Sequence, residues 1–297
     1  MLAGSLLKDR YRLVRRLGGG AEGETFAAWD QVLQRKVAIK FQLARVVDTT
    51  TDYSSFGRYL TAECDLLQNL LDIPGIPKVF DSGSFGRNDR KFIVMELVKG
   101  VTLDSWIRDH HPVPISAAAA VVGQLCVILG DLHAKGYVHR DVTPKNTMLQ
   151  PDGRVRLLDV GIAIESGVIE NDPRGTPGYG APEQLINHSL VTPQADIFGL
   201  GALLFKMVGL RLPYSGLEYP FEATAQPFPD GALEHVPEPL RALGLAMVAI
   251  RPDGRPDGVA EVLRQLRPVL PQPGSPASPK ATRPDPTSPW RSEVLMW

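Results

Sequence analysis

The run His139-Arg140-Asp141-Val142-Thr143-Pro144-Lys145-Asn146, followed by Asp159-Val160-Gly161, gathers a candidate base, a metal-binding amide and a metal-binding carboxylate in one short stretch. Oxygen ligands for a hard cation beside an ionised carboxylate suit phosphoryl transfer. Upstream, Gly18, Gly20 and Gly23 form a G-x-G-x-x-G run between two strand-like segments. Glycines there would let backbone amides approach phosphate oxygens, although three glycines also suit an ordinary hairpin. A dinucleotide-binding loop needs a helix after the glycines, and Thr25 to Trp29 has no helical pattern. Val37-Ala38-Ile39-Lys40 sets a lysine on an apolar strand, where its charge would lie under the glycine loop or, on an edge, in water. Glu63 is the candidate counter-ion, with a surface carboxylate as the alternative.

The elements that must position these groups fall into two patterns. Tyr11 to Leu17, Thr25 to Trp29, Lys36 to Phe41 and Phe92 to Leu97 are expected to be strands of a twisted antiparallel sheet. Tyr59 to Leu71 carries Leu60, Leu66, Leu67 and Leu70 at helical spacing, with Glu63 on one face. Beyond Gly100 the pattern becomes helical, at Ala117 to Ala134, Ala195 to Val208, Glu238 to Met247 and Val259 to Leu266. A small sheet-rich lobe joined near Val98 to Gly100 to a larger helical lobe is the expectation.

A length of 297 residues suits two lobes and a tail. The net charge of -1 and ordinary apolar content argue against a disordered chain and against nucleic acid held by bulk charge, so no nucleic-acid partner is expected. Cys64 and Cys126 lack the spacing of a disulfide framework or zinc site, which fits a reducing, cytoplasmic setting. The apolar stretches Ala117 to Leu132 and Ile197 to Leu210 are interrupted and read as buried helices too short for a membrane span. Met1 to Leu7 lacks the features of a secretory signal. From Pro268 onward, prolines among Ser, Thr and Gly predict a disordered extension. Ser275, Ser278 and Ser288 precede prolines there, so a protein partner for the tail stands beside an end with no function of its own.

Gly18 to Gly23, Val37 to Lys40, Glu63, Met95-Glu96, His139 to Asn146, Asp159 to Gly161, Ala181-Pro182-Glu183, Asp196 and Arg255 occur in the order found in protein kinases. From Tyr11 to Leu266 the chain resembles the bacterial eukaryotic-type (Hanks-type) Ser/Thr protein kinases. The resemblance implies an α+β bilobal protein-kinase fold, with a small antiparallel-sheet lobe over 11–98 and a larger helical lobe over 99–267. Residues 1–10 would be an N-terminal extension and 268–297 the proline-rich tail.

It also implies roles. Lys40 would hold the α- and β-phosphates of ATP and pair with Glu63, while Asp141 would take or orient the substrate hydroxyl proton. Asn146 and Asp159 would bind Mg²⁺. Gly18, Gly20, Gly23, Thr25, Ala38, Met95, Glu96, Val98 and Met148 would surround the nucleotide, with Met95 as gatekeeper. Gly175 to Glu183 resembles the substrate-docking end of an activation segment, with Thr176 near Asp141 and Glu183 paired with Arg255. Asp196 would hold the catalytic-loop backbone, or simply cap its helix. The implied function is a Ser/Thr protein kinase acting on a protein substrate, with autophosphorylation included as an expectation of the family. A pseudokinase scaffold and a small-molecule phosphotransferase are the alternatives.

Four departures from the family pattern bear on mechanism. Thr143 stands where Ser/Thr kinases place a lysine that touches the γ-phosphate, and Lys145, two residues on, is expected to replace that charge. Val160 replaces the phenylalanine of the Asp-Phe-Gly triplet. Thr25 replaces an aliphatic cover for adenine. Between Gly161 and Gly175 the only hydroxyl is Ser166, a candidate phosphosite ordered by Arg140, with Glu165, Glu170 or Asp172 as permanent negative charges in its stead.

Overall fold

The computed structural model describes residues 3–19, 23–42, 53–86, 89–170, 174–186, 188–209, 211–216 and 225–292, without the side chains of 53–58, 170, 215 and 216. Gly20 and Asp172, both expected to matter, lie outside the described residues, as does the side chain of Glu170. Two compact units divide the chain, Met1–Val98 and Lys99–Trp297.

The first unit is built on strands β1 (Leu6–Leu7), β2 (Tyr11–Gly19), β3 (Gly23–Asp30) and β4 (Arg35–Gln42), helix α1 (Tyr53–Asn69), and strands β5 (Val79–Phe85) and β6 (Arg90–Glu96). The strands form one antiparallel sheet in the order β1-β2-β3-β4-β6-β5. Strand alternation decides what each face carries. Val37, Ile39 and Phe41 of β4 join Leu7, Tyr11, Leu13, Phe26, Phe92 and Val94 in one core. Ala38 points the other way, to a core with Leu60 and Cys64 of α1 and Ile93 and Met95 of β6. By the same alternation Lys40 is on the α1 side.

Two features of this unit escape a periodicity reading. Residues 1–10 were expected to be a mere extension, yet Leu6–Leu7 pairs with β2 and Leu7 enters the core. Arg10 forms a two-point ion pair with the buried Asp30, at 2.9 Å to each carboxylate oxygen. Strand β5 was also unforeseen: its sequence, Val-Phe-Asp-Ser-Gly-Ser-Phe, is polar and glycine-containing, and pairing with β6 supplies the order its propensity does not.

The second unit begins with β7 (Val101–Thr102), α2 (Leu103–Asp109) and α3 (Ile115–Ala134), and continues through short strands β8 (Tyr137–Val138), β9 (Thr147–Leu149), β10 (Val155–Leu157), β11 (Ile164–Glu165), β12 (Val168–Glu170) and β13 (Ser189–Val191). Helices α4 (Gln194–Gly209), α5 (Glu238–Met247), α6 (Val259–Leu266) and α7 (Ser288–Arg291) follow. Helix α3 is long and apolar enough to cross a membrane by length and composition, which corrects the expectation of a shorter stretch. It is instead enclosed by α4, α6, β8 and β10, the surroundings of a core helix. Helix α4 is buried almost throughout. Strands β9 and β10 pair antiparallel, β7 pairs β9, and β8 pairs β11. These ladders tie down both ends of the 139–146 loop and the segment that follows β10.

The proline-rich tail departs most from expectation. Residues 268–292 are folded against α2 and α3 without a sheet and with α7 as their one helix of the α type. Proline forbids regular ladders, but an irregular chain can still be held by side-chain anchors. Here Trp106 Nε1 donates to Pro284 O at 3.1 Å and Trp290 Nε1 to Ala120 O at 3.2 Å.

Candidate active site

In the sheet unit, Lys40 Nζ donates to Glu63 Oε1 at 2.9 Å and to Oε2 at 2.8 Å, with both side chains buried. The pair joins β4 to α1, because Leu60, Glu63, Cys64 and Leu67 lie on one helical face. An ion pair taken out of water persists only with good geometry, and both carboxylate oxygens are engaged. Such a lysine is a positioned cation rather than a solvated tether.

Around it, the register puts Thr25 opposite Lys40, and Ala38 opposite Met95. Met95 and Val98 are buried. The amide of Glu96 donates to Lys78 O at 2.8 Å, which holds the end of β6 against the segment that leads into β5. Gly18 and Gly23 serve different needs. A Cβ on Gly23 would collide with the Phe41 carbonyl, so this glycine is required by strand packing, whereas a Cβ on Gly18 would meet open space. The hairpin and phosphate-loop readings of the glycine run therefore coexist.

In the helical unit the carboxylate of Asp141 is held at both oxygens. Thr176 Oγ1 donates to Oδ1 at 2.6 Å, and Asn146 Nδ2 donates to Oδ2 at 2.5 Å. Because the Asn146 nitrogen is used inward, its Oδ1 remains the amide's ligand atom. Leu158 N donates to Asn146 O at 2.7 Å, which brings the end of the loop beside Asp159. One Asp159 oxygen accepts from Gly161 N at 2.9 Å. An amide oxygen and a carboxylate on adjoining backbone are hard donors that fit Mg²⁺, which takes few protein ligands and keeps water. Met148, between them on β9, is half-buried.

Thr143 is buried, and its Oγ1 accepts from Asn146 N at 3.3 Å while its carbonyl accepts from Thr147 Oγ1 at 2.8 Å. Its hydroxyl therefore braces the loop and offers nothing outward. Lys145 is exposed and makes no ion pair among the described residues. Val160 is buried, so the apolar packing of the triplet survives the smaller side chain. Ser166 is exposed, and its amide donates to Gly136 O. Arg140 Nε donates to Ile162 O at 2.5 Å, so at least that nitrogen serves the backbone of the same segment.

Beneath the loop lies a polar network. Asp196, in the first turn of α4, accepts from His139 N at 2.8 Å, Arg140 N at 2.7 Å and His133 Nε2 at 2.8 Å. Burial pushes the Asp196 carboxyl up, but the hydrogen bonds from His133 Nε2 and the His139 amide outweigh it and hold it below the usual range. A helix N-terminus favours the same ionised form. Arg140 takes a positive φ of 68°, a cost offset by the bond of its amide to Asp196 and of its carbonyl to Gln184 Nε2. His139 is wholly buried. Burial depresses its pKa, and the neutral ring accepts from Asp141 N through Nδ1 at 3.2 Å. Glu183 and Arg255 form a two-point pair at 2.6 and 2.9 Å, also buried, beside the Phe198 ring.

His133 and Gln184 were not foreseen as part of this framework. Gln184 binds the Arg140 and Arg174 carbonyls and the Ala181 amide, all non-local in sequence or irregular in geometry. The sequence signal for such residues is weak: a lone polar side chain at the end of an apolar helix or turn.

An ion-paired lysine, a carboxylate fixed by an asparagine and a threonine, and a second carboxylate after a short hairpin match one family in order and spacing. A match to the protein kinase domain spans residues 11–252. The chain belongs to the protein kinase family. It is 33% identical over 220 residues to the serine/threonine-protein kinase PrkC of Bacillus subtilis, covering 73% of this chain and 33% of that protein. It is 31% identical over 254 residues to the serine/threonine-protein kinase PknA of Mycobacterium tuberculosis, covering 80% and 53%. Against PknB of the same organism it is 32% identical over 282 residues, covering 90% and 44%. The chain thus spans about a third to a half of these kinases' length. Kinases of this family generally use ATP and Mg²⁺.

Proposed function

We propose that this kinase-family chain is an active Ser/Thr protein kinase that transfers the γ-phosphoryl group of ATP to a protein hydroxyl. The observation that carries the reading is Asp141, whose two oxygens are fixed separately, one by Asn146 of its own loop and the other by Thr176 from a segment about thirty residues further on. A carboxylate so held can orient a substrate hydroxyl and take its proton without reorganising. Thr176 lies in the segment Gly175 to Glu183, and its hydroxyl marks where a Ser or Thr side chain can approach Asp141.

The remaining residues divide the work. Lys40, aligned by Glu63, would hold phosphate oxygens, and Ala38, Met95, Met148, Thr25 and backbone groups of Glu96 and Val98 would receive the adenine. Asn146 and Asp159 would hold Mg²⁺, which when bound supplies charge neutralisation along the phosphates. Lys145 would supply the γ-phosphate cation that Thr143 cannot, since Thr143 is buried and committed to the loop. That commitment also favours a second reading, a slow or inactive scaffold, if Lys145 stays in solvent. The free, buried cysteines Cys64 and Cys126 support placement in a reducing cytoplasm.

The test is a radiolabelled Mg·ATP assay with generic protein substrates and phosphosite mapping, alongside Asp141→Asn. Label on Ser or Thr that needs Mg²⁺ and vanishes in the variant is the expected result. No transfer by the wild-type chain would favour the scaffold.

A further inference from the structure

Residues 282–291 form a strap with a built seat. Gln124, wholly buried, donates to Gly153 O at 3.0 Å and to Pro286 O at 2.9 Å, while its Oε1 accepts from Val155 N at 2.8 Å. One amide therefore links the strap to the turn and strand of the β9–β10 hairpin. Two glycines make room. A Cβ on Gly123 would stand 2.8 Å from the Trp290 ring, and one on Gly153, which has φ +87°, would strike the Asp285 carbonyl. With the Trp106 and Trp290 hydrogen bonds, these contacts make the α2–α3 face complementary to its own tail.

The strap is closed by a polar knot. Asp285 Oδ1 accepts from Thr287 N at 2.9 Å and from Thr287 Oγ1 at 2.6 Å, and Arg291 donates to Asp285 Oδ2 at 2.8 Å and to Thr287 Oγ1. Arg291 O then accepts from Gly274 N at 2.8 Å, which ties the knot to the start of the tail. Thr287 is 7% exposed and Pro286 is buried beside it.

We propose that Thr287 is a phosphorylation site and that a phosphate there releases the strap from α2 and α3. The transfer forms a bond between Thr287 Oγ1 and the γ-phosphorus of ATP and breaks the bond from that phosphorus to the oxygen that leaves with ADP. The hydroxyl proton passes to the base of the Ser/Thr kinase that acts. The product carries about two negative charges against the Asp285 carboxylate. A single guanidinium, already shared by Asp285 and Thr287, cannot neutralise both, and the phosphate would replace a hydroxyl that now donates to the Asp285 carboxylate at 2.6 Å, turning a hydrogen bond into a like-charge contact. Because the hydroxyl is covered while the strap is seated, modification would capture the released form and prevent its return. Release frees the Trp290 indole, uncovers Trp106 and removes one acceptor from Gln124.

The experiment uses the full chain with phosphothreonine installed at 287, so it does not depend on this chain's own activity. Backbone hydrogen exchange at 274–291 and Trp fluorescence are compared with wild type, with Thr287→Ser and Thr287→Val, and with Trp290→Ala as the open reference. Expected is at least tenfold faster exchange in the strap and an emission change like that of the open reference, with α4 still protected. Thr287→Ser should stay close to wild type, and Thr287→Val, which loses the hydroxyl contacts but keeps the Thr287 N and Arg291 bonds to Asp285, should loosen the strap far less than the phosphate does. A phosphorylated chain that keeps its strap protected, or a valine variant that releases it equally, overturns the proposal.

Discussion

The two units secure their site residues in opposite ways. In the sheet unit one side-chain pair, Lys40 with Glu63, bridges a strand and a helix. In the helical unit Asp141 sits on a loop whose backbone is pinned from below by Asp196 and Gln184 and from within by Thr143. A sheet gives each residue a fixed direction, so a single partner suffices to aim a lysine. An irregular loop has no ladder, so its backbone groups need side-chain partners one by one. Damage to the first arrangement should therefore appear in function, and damage to the second in folding as well.

The largest effect expected from that contrast is on stability in the helical unit. Arg255→Ala leaves Glu183 charged and buried without its partner, and should cost about 3–5 kcal/mol, read as a lower urea midpoint. An unchanged midpoint would remove the claim that this unit is held by buried polar links. Next, Lys145→Ala should lower kcat by about a hundredfold with no change in melting temperature, because the side chain is exposed and makes no ion pair among the described residues. Unchanged turnover would leave the γ-phosphate without its proposed cation. Glu63→Gln should lower kcat/KM by about tenfold while the fold persists, since an amide can still accept one of the two hydrogen bonds. A large loss of stability instead would erase the difference between the units.

The smallest effect is a pH dependence. His139 has its pKa depressed by burial, so the unfolded chain binds a proton more readily than the folded one. The native state is then fully favoured above the unfolded value, about 6.5, and loses stability as pH falls from there toward the folded value. Asp196 acts lower: its depressed pKa adds stability above about pH 4 that disappears as the carboxylate protonates. Urea titrations from pH 8 to 5 should show a falling midpoint in the wild type. His139→Phe should flatten the slope in that range, and an equal slope would assign it to other groups.

Periodicity revealed the elements with clear patterns. Helices over Glu238 to Met247 and Val259 to Leu266 occur where apolar spacing places them, and β2, β3, β4 and β6 overlap the expected strands. Helix α1 starts six residues earlier than Tyr59, at Tyr53, in a stretch whose residues carry little apolar pattern. Strand β5 and the seat of the tail were illegible for one reason: both are stabilised by what lies across from them. Gln124 reads in sequence as an interruption of an apolar helix, and only its three backbone partners explain it.

Residue types and their order were enough to assign the family and the sequence of site residues, because chemistry restricts which residue types can serve as metal ligand, base or phosphate cation. They also determined that Thr143 breaks the pattern. Tertiary structure decided what Thr143 does instead, which oxygens of Asp141 are engaged, and that the proline-rich end has a seat. Those outcomes depend on distances between groups far apart in the chain. Hydrogen bonds form or fail within a few tenths of an ångström, a precision no residue pattern encodes.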